Sequence, residues 1–344
     1  MKQNAKTDSS EERILLAHGS GGELSHQLVA SIFARRFQNP ILQPLDDSAV
    51  IPAEGANWAF TTDSYVVTPI FFPGGDIGRL AVCGTVNDLS TSGAQPRFLS
   101  AGFIIEEGFL FADLKKIVDS MQKAAEEAGV QIVTGDTKVV NRGGADGVFI
   151  NTAGIGLIPP GVRISGRNAR PGDRVLVSGT MGDHGVAILS AREGLEFSTT
   201  LVSDCAPLNH LVEKMIAVSP HIHCLRDPTR GGLSSTLNEL ARQSEVGIWV
   251  EENRIPVKEE VRGACELLGF EPWILANEGK LVAILAKEDA ERVLREMKDH
   301  PLGRDAAIIG EVREEPRGKV VLRTPLGSTR LLDMMVGEPL PRIC

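Results

Sequence analysis

Two domains, each mixing strands with helices, are what three features of this sequence predict. Its 344 residues exceed the usual size of a single domain. Strand-like and helix-like apolar patterns alternate along most of its length. Near the middle, Pro159-Pro160-Gly161 and then Arg170-Pro171-Gly172-Asp173 interrupt that alternation, and such residues punctuate elements rather than continue them. The expected divisions are a disordered lead-in over 1–12, a first domain over 13–165, a second over 166–335 and a mobile tail over 336–344.

In order, Glu23 to Phe37 reads as a helix and Trp58 to Tyr65 as a strand. Gly78 to Ser92 is a helix with Leu80, Val82, Val86 and Leu89 on its apolar side, and Phe98 to Ile105 is again strand-like. Leu114, Ile117, Val118, Met121, Ala125 and Ala128 recur at helical spacing, with Gly129 as the stop. Val130 to Thr134 and Val148 to Ile158 close the first domain as strands. Beyond the boundary come strands at Arg174 to Val177, Val246 to Val250, Leu281 to Leu285 and Ala307 to Val312. Between them lie helices at His184 to Arg192, Leu208 to Val218, Thr229 to Gln243, Glu259 to Leu268 and Glu288 to Lys298. Alternation alone points to a doubly wound α/β sheet. The phosphate-binding fingerprints of that architecture, G-x-x-x-x-G-K-[ST] and G-x-G-x-x-G, are missing.

Composition narrows the function. A formal net charge of -9, with no run of Lys or Arg, argues against a general nucleic-acid binder. Met1 to Arg13 lacks the apolar segment of a secretion signal, and no apolar run reaches the length of a membrane span, so a cytoplasmic protein is expected. Cys83, Cys205, Cys224, Cys265 and Cys344 contain no C-x-x-C pair, which disfavours a disulfide framework. His221-Ile222-His223-Cys224 lacks a second cluster to complete a zinc site, so a solvated or packed pair is expected. Cys344, in Pro339-Leu340-Pro341-Arg342-Ile343-Cys344, sits on a segment broken by prolines, where reactivity explains a cysteine better than packing.

Acidic residues recur at element ends in the first domain: Asp46-Asp47-Ser48, Thr62-Asp63, Asn87-Asp88 and Gly135-Asp136-Thr137-Lys138. Several separated aspartates suit a metal-bound triphosphate, because magnesium takes carboxylate and phosphate oxygens together. Three glycine-rich loops lead into helices: His18-Gly19-Ser20-Gly21-Gly22, Gly179 to Gly185, and Asp227-Pro228-Thr229-Arg230-Gly231-Gly232. Backbone N–H groups exposed at such turns suit phosphate.

These motifs resemble a known family over His18 to Cys344. Asp46-Asp47-Ser48-Ala49-Val50, Thr62-Asp63-Ser64, Asn87-Asp88 and the Asp227 loop are similar to the superfamily of aminoimidazole ribonucleotide synthetase and selenophosphate synthetase. His18 to Gly22, Phe71-Phe72-Pro73-Gly74-Gly75, Gly135 to Val140, Ala276-Asn277-Glu278-Gly279-Lys280 and the final Pro-Arg-Ile-Cys resemble the HypE hydrogenase-maturation factors within it. The resemblance implies an α+β fold in place of the doubly wound one. It implies an N-terminal sheet that pairs into a barrel across a homodimer, an α/β-sandwich-like C-terminal domain and a flexible tail. It further implies ATP-dependent dehydration of a carbamoyl group on Cys344 to a thiocyanate, as a cyanide source for [NiFe]-hydrogenase iron. The implied carbamoyl donor is the carbamoyltransferase HypF, and the acceptor is the HypC–HypD complex.

The resemblance implies Asp47, Asp88 and Asp227 as magnesium ligands, with Asp63 and Asp136 supporting. For ATP it implies His18, Gly19, Gly21, Gly22, Asp63, Asn87, Asp136, Thr137 and Arg230. Glu278 is the implied proton acceptor, and Lys138, with Lys280 sharing the task, steadies the phosphorylated oxygen. The 11 steps from Asp333 to Cys344 would let the thiol travel roughly 35–40 Å between an outward and an inward position. Two other readings are a superfamily synthetase or kinase acting on a free small molecule, and a nucleotide-binding scaffold that docks partners through its tail.

Overall fold

The computed structural model describes residues 14, 18, 22–37, 39–53, 55–193, 201–334 and 342–344. The expected lead-in lies outside the described residues, as do 336–341 of the expected tail. The first domain starts with α1 (Glu23–Leu28), which runs on as a π-helical segment, Val29–Ala34. Next come β1 (Ala49–Ala53), β2 (Ala56–Tyr65) and the short β3 (Phe71–Phe72) and β4 (Gly75–Asp76). Then follow α2 (Ile77–Thr91), β5 (Gln95–Glu106), α3 (Phe111–Ala128), β6 (Gln131–Val140) and β7 (Val148–Ile158). Asp76 caps α2 by accepting from the N–H groups of Gly78 and Arg79, two donors the helix cannot satisfy itself.

The five strands pair in the order β1-β2-β7-β5-β6. All pairs are antiparallel except β5–β6, whose connection is α3, the crossover that a parallel pair requires. One face is covered: Leu80, Val86 and Leu89 of α2 and Ile117 and Met121 of α3 bury themselves against Leu99 and Ile150. The other face is bare. Phe60 stands opposite Ile155, and Ile155 opposite Phe98, so Phe60 and Phe98 share a side with Trp58 and Ile104; these four are 37–44% exposed.

The second domain contains β8 (Arg174–Val177), α4 (Asp183–Glu193), α5 (Asn209–Val218), β9 (Ile222–Arg226), α6 (Gly232–Ser244), β10 (Gly247–Glu251) and α7 (Glu259–Leu268). It ends with β11 (Val282–Leu285), α8 (Lys287–Lys298), β12 (Ala307–Arg313), β13 (Lys319–Arg323) and β14 (Thr329–Leu331). Its seven strands run β14-β13-β10-β12-β8-β11-β9, with β10–β13 the parallel pair. Leu233, Leu237 and Leu240 of α6 cover one face; Leu211 and Met215 of α5 with Val293 and Met297 of α8 cover the other. Largely antiparallel pairing excludes the doubly wound arrangement that alternation suggests, and both domains are α+β. His221 and His223 go separate ways, to Asp289 at 2.9 Å and Asp173 at 2.7 Å.

Polar contacts across the domain seam set the site. Arg79 Nε donates to the Cys205 carbonyl (2.9 Å), and Asp46 accepts from Ser165 Oγ (2.6 Å) and Gly166 N (2.9 Å). The end of the chain lies in this seam as well. Val66 N donates to the main-chain oxygen of Cys344 and Thr68 N to that of Arg342, both at 3.1 Å. Against the expectation that packing would not explain this cysteine, Ile343 and Cys344 are buried within an apolar cluster that draws on both domains.

Candidate active site

A cavity of about 390 Å³ opens where the two domains meet, lined in part by Asp47, Asp63, Asp88, Asp227, Thr229 and Arg230. Each aspartate arrives on a different element. Asp47 precedes β1, Asp63 lies on the helix-covered side of β2, Asp88 is on α2, and Asp227 follows β9. The loop after Asp227 enters α6 through Gly231, whose φ of 76° is left-handed and suits glycine alone.

So many carboxylates in one enclosed space repel each other. Burial pushes Asp47 up to about 6, with the Arg226 guanidinium opposing the shift. Burial raises Asp88 well above the usual carboxylate range, and the charges of Asp227, Asp63 and Asp47 add to it. Asp227 is raised by burial and then by Asp47, and Asp63 by burial with Arg230 opposing. A divalent cation relieves this stress, so the donor set fits magnesium. Among the described residues no three His, Cys, Asp or Glu side chains stand close enough to hold an ion by themselves. Phosphate oxygens and water would have to complete its shell, as magnesium bound with a nucleotide prefers.

Several supports are not apparent from the motifs. Arg226 Nε pairs with Asp47 (2.8 Å) and its Nη1 with Glu239 (3.2 Å), while His26 Nε2 stands 2.8 Å from Glu239 Oε1. Burial alone would raise Glu239; Arg226 and His26 more than offset it, and its carboxyl sits below the usual range. Tyr65 OH donates to Asp63 (2.9 Å) and Thr61 Oγ1 to Asp88 (2.9 Å), fixing both carboxylates. These residues are scattered at 26, 61, 65, 226 and 239. The available signals were Arg226 directly before the Asp227 loop and the alternation that puts Tyr65 near Asp63.

Glu278 and Cys344 lie at the inner end of this region. Arg230 is held more firmly protonated by the negative charge of Cys344, against burial, with Asp63 and Glu278 reinforcing it. Burial raises Glu278 well above the carboxylate range, as do the charges of Asp227, Asp204 and Asp63. Its Oε1 is buried with no hydrogen-bond partner among the described residues. The turn that carries it is fixed by Gly279, where a Cβ would fall 1.8 Å from the Asp204 carbonyl oxygen. Lys280 pairs with Asp204 at 3.2 Å.

Other expected residues are placed elsewhere. Asn87 spends its amide on the seam, donating to the carbonyls of Ala206 and Glu278 (3.2 Å each) and accepting from Leu208 N (2.8 Å); it holds Glu278 in place rather than facing the cavity. Asp136, Thr137 and Lys138 are not brought to this cavity within one chain. Asp63 aligns through Thr152 and Ala101 with Gly135, so Asp136 and Lys138 point to the bare side of the sheet, pairing with each other at 2.6 Å. Of the first glycine loop, His18 accepts from Ser25 Oγ (2.9 Å) through its carbonyl, and Gly22 caps α1. Gly19 and Gly21 lie outside the described residues.

Two covered sheets with an acidic cavity at their seam define a class. Residues 45–158 match the N-terminal and 170–323 the C-terminal domain of AIR synthase related proteins, the family to which this chain belongs. Within it, several relatives at about half identity are named carbamoyl dehydratase HypE. The carbamoyl dehydratase HypE of Azotobacter vinelandii is 54% identical over 340 residues, covering 99% of this chain and all of the relative. That of Escherichia coli strain K12 is 51% identical, covering 96% and 99%. Among solved structures, HypE in complex with ATP has a TM-score of 0.82 at 54% identity, covering 96% of this chain and all of that one. A HypE–HypF complex gives 0.86 at 52% identity, covering 90% and 99%.

Proposed function

We propose that this protein uses ATP to dehydrate a carbamoyl group carried on Cys344, and that the resulting cyanide group goes to the iron of a [NiFe]-hydrogenase. One observation carries the reading: Cys344 is seated in the seam, beside an arginine that also answers to Asp63 and Glu278, in a chain matched end to end by carbamoyl dehydratases.

A thiocarbamate, S–C(=O)–NH2, loses water only when its oxygen becomes a leaving group. That oxygen attacks the γ-phosphorus of ATP, and ADP departs. The S–C(OPO3)=NH ester then expels phosphate, leaving S–C≡N; the oxygen leaves within phosphate and both N–H protons pass to bases. Glu278 is the proton acceptor, because a buried carboxyl with raised proton affinity holds a proton well once ionised. Arg230 balances charge on the transferring group, and burial of the seam keeps water from the ester. Asp47, Asp88 and Asp227, with Asp63, would hold magnesium, which neutralises triphosphate charge.

The bare face of the first domain supports a homodimer in which two such sheets close a barrel. In that arrangement Asp136, Thr137 and Lys138 of one copy serve the cavity of the other. The relative solved with HypF supports the same carbamoyltransferase as donor here, and a HypC–HypD complex is the proposed acceptor. The tail then alternates between the docked position and an outward one that meets these partners. The five cysteines are thiols, which supports a reducing compartment such as the cytoplasm, and no described helix is long and apolar enough to cross a membrane. The decisive experiment is intact mass after incubation with the transferase, carbamoyl phosphate and ATP. An ATP-dependent loss of one water from a carbamoyl adduct mapped to Cys344 is expected; ATP hydrolysis with Cys344 unmodified would return the protein to the small-molecule synthetases.

A further inference from the structure

The last residues of the chain are gripped from two sides, and the grips differ in kind. One is main chain: Val66 N donates to the Cys344 oxygen and Thr68 N to the Arg342 oxygen, bonds that any sequence can form. The other is a side chain. The Ile343 carbonyl meets His184 Nε2 at 2.8 Å. His184 lies at the start of α4 and is fully buried.

Its neighbours fix its chemistry. A carbonyl only accepts, so Nε2 carries the hydrogen. Nδ1 lies 2.8 Å from Ser203 Oγ, and that oxygen accepts the Cys205 N–H at 3.1 Å, leaving its own proton for Nδ1. The ring is thus a neutral Nε2–H tautomer, in keeping with a burial that disfavours its charged form. Ser203 is anchored by its own N–H to the Pro73 carbonyl (2.8 Å), and Phe72 meets the imidazole edge-on at 5.5 Å. Further along α4, Arg192 bonds the main-chain oxygens of both Thr68 and Arg342.

We infer that His184, its tautomer set by Ser203, is a positioning residue that seats Cys344 for the ATP-dependent step by binding the Ile343 carbonyl. Main-chain bonds do not depend on the side chains of the tail, and this contact adds a side-chain grip that holds the thiol at one depth in the seam. The inference rests on the reading of Cys344 as the carrier. His184 itself touches no reacting atom.

The test uses the full chain with His184→Phe, His184→Gln and Ser203→Ala. Two rates are read: alkylation of Cys344 by iodoacetamide in the presence of a non-hydrolysable ATP analogue, and single-turnover loss of water from protein carbamoylated beforehand by the transferase. His184→Phe and Ser203→Ala should alkylate about tenfold faster and lose water about tenfold more slowly, the scale of one buried hydrogen bond. His184→Gln, whose amide can restore an N–H donor, should recover most of both. Wild-type alkylation in His184→Phe, or a Gln variant no better than Phe, would make His184 a packing residue and overturn the inference. Ser203→Ala carries the test if His184→Phe fails to fold. A wild-type protein that loses no water defeats the carrier reading, while the alkylation comparison still decides the role of His184.

Discussion

Asp63 and Asp136 occupy neighbouring parts of one sheet and face opposite worlds. Asp63 looks inward to α2 and the cavity, where burial raises its carboxyl; Asp136 looks outward, 70% exposed and tied to Lys138, which lowers it. A single residue of strand parity separates the two fates. The inner face is finished by helices and the seam. The outer face, with Trp58, Phe60, Phe98 and Ile104 in solvent, is a large apolar surface of the kind that marks an interface. Under the proposed homodimer, half of the chemistry would belong to one copy and half to its partner.

The strongest way to break this comparison is by mixing variants. Lys138→Ala alone and Cys344→Ala alone should each form no thiocyanate. Randomly reassorted dimers of the two should recover about a quarter of the sites, because one chain supplies the lysine and the other the thiol. No recovery would mean that Lys138 acts within its own chain. Next in size, Asp63→Asn should cost turnover about a hundredfold or more, as expected for a carboxylate that would hold the metal charge against a transferring phosphate. The same change should stabilise the ligand-free protein. Asp63 holds its proton more tightly folded than unfolded, so its penalty is absent below the unfolded value of 3.8 and grows as pH rises toward the raised folded value. Thermal scans across that range should show the difference between variant and wild type widening with pH.

On the outer face, Phe60→Asp should leave circular dichroism intact and shift the sedimenting species from dimer to monomer. An aspartate replacing Ile284 on β11, which is covered on both sides, should instead unfold the second domain, since a buried unpaired charge costs several kcal/mol. The smallest effect lies far from both faces. Asp289, bonded by Ser219 and then His221, has a lowered carboxyl, so its stabilisation is present above 3.8 and is lost as pH falls through the folded value. Asp289→Asn should cost under about 1 kcal/mol at neutral pH and nothing in acid, by denaturant titration.

Periodicity revealed most elements, because α2, α3 and the central strands bury one face each. It failed where chemistry interrupts pattern. Gly135-Asp136-Thr137-Lys138 reads like a turn, and the strand expected over Val130 to Thr134 in fact continues to Val140, since Gly135 lies against the Ala101 carbonyl with no room for a Cβ. α6 starts at Gly232 rather than Thr229 because Gly231 is left-handed. The aspartates that line the cavity were legible as motifs, but their sidedness was not. Nor was the Arg226–Glu239–His26 chain, whose members meet only after α1 and α6 pack together. The docking of Cys344 was hidden for a related reason: its main-chain oxygen accepts from Val66 N, nearly 280 positions earlier, and nothing local to the tail signals that contact.

The crowded aspartates carry one more consequence, for the lifetime of the protein. Mutual repulsion is a cost the empty fold bears continuously, and a ligand that binds only the folded state lifts the folded fraction by mass action. Nucleotide with its proposed cation would then be a folding ligand as much as a reactant. Cells short of it would be expected to hold less of this protein, because the unoccupied form opens more often to proteases.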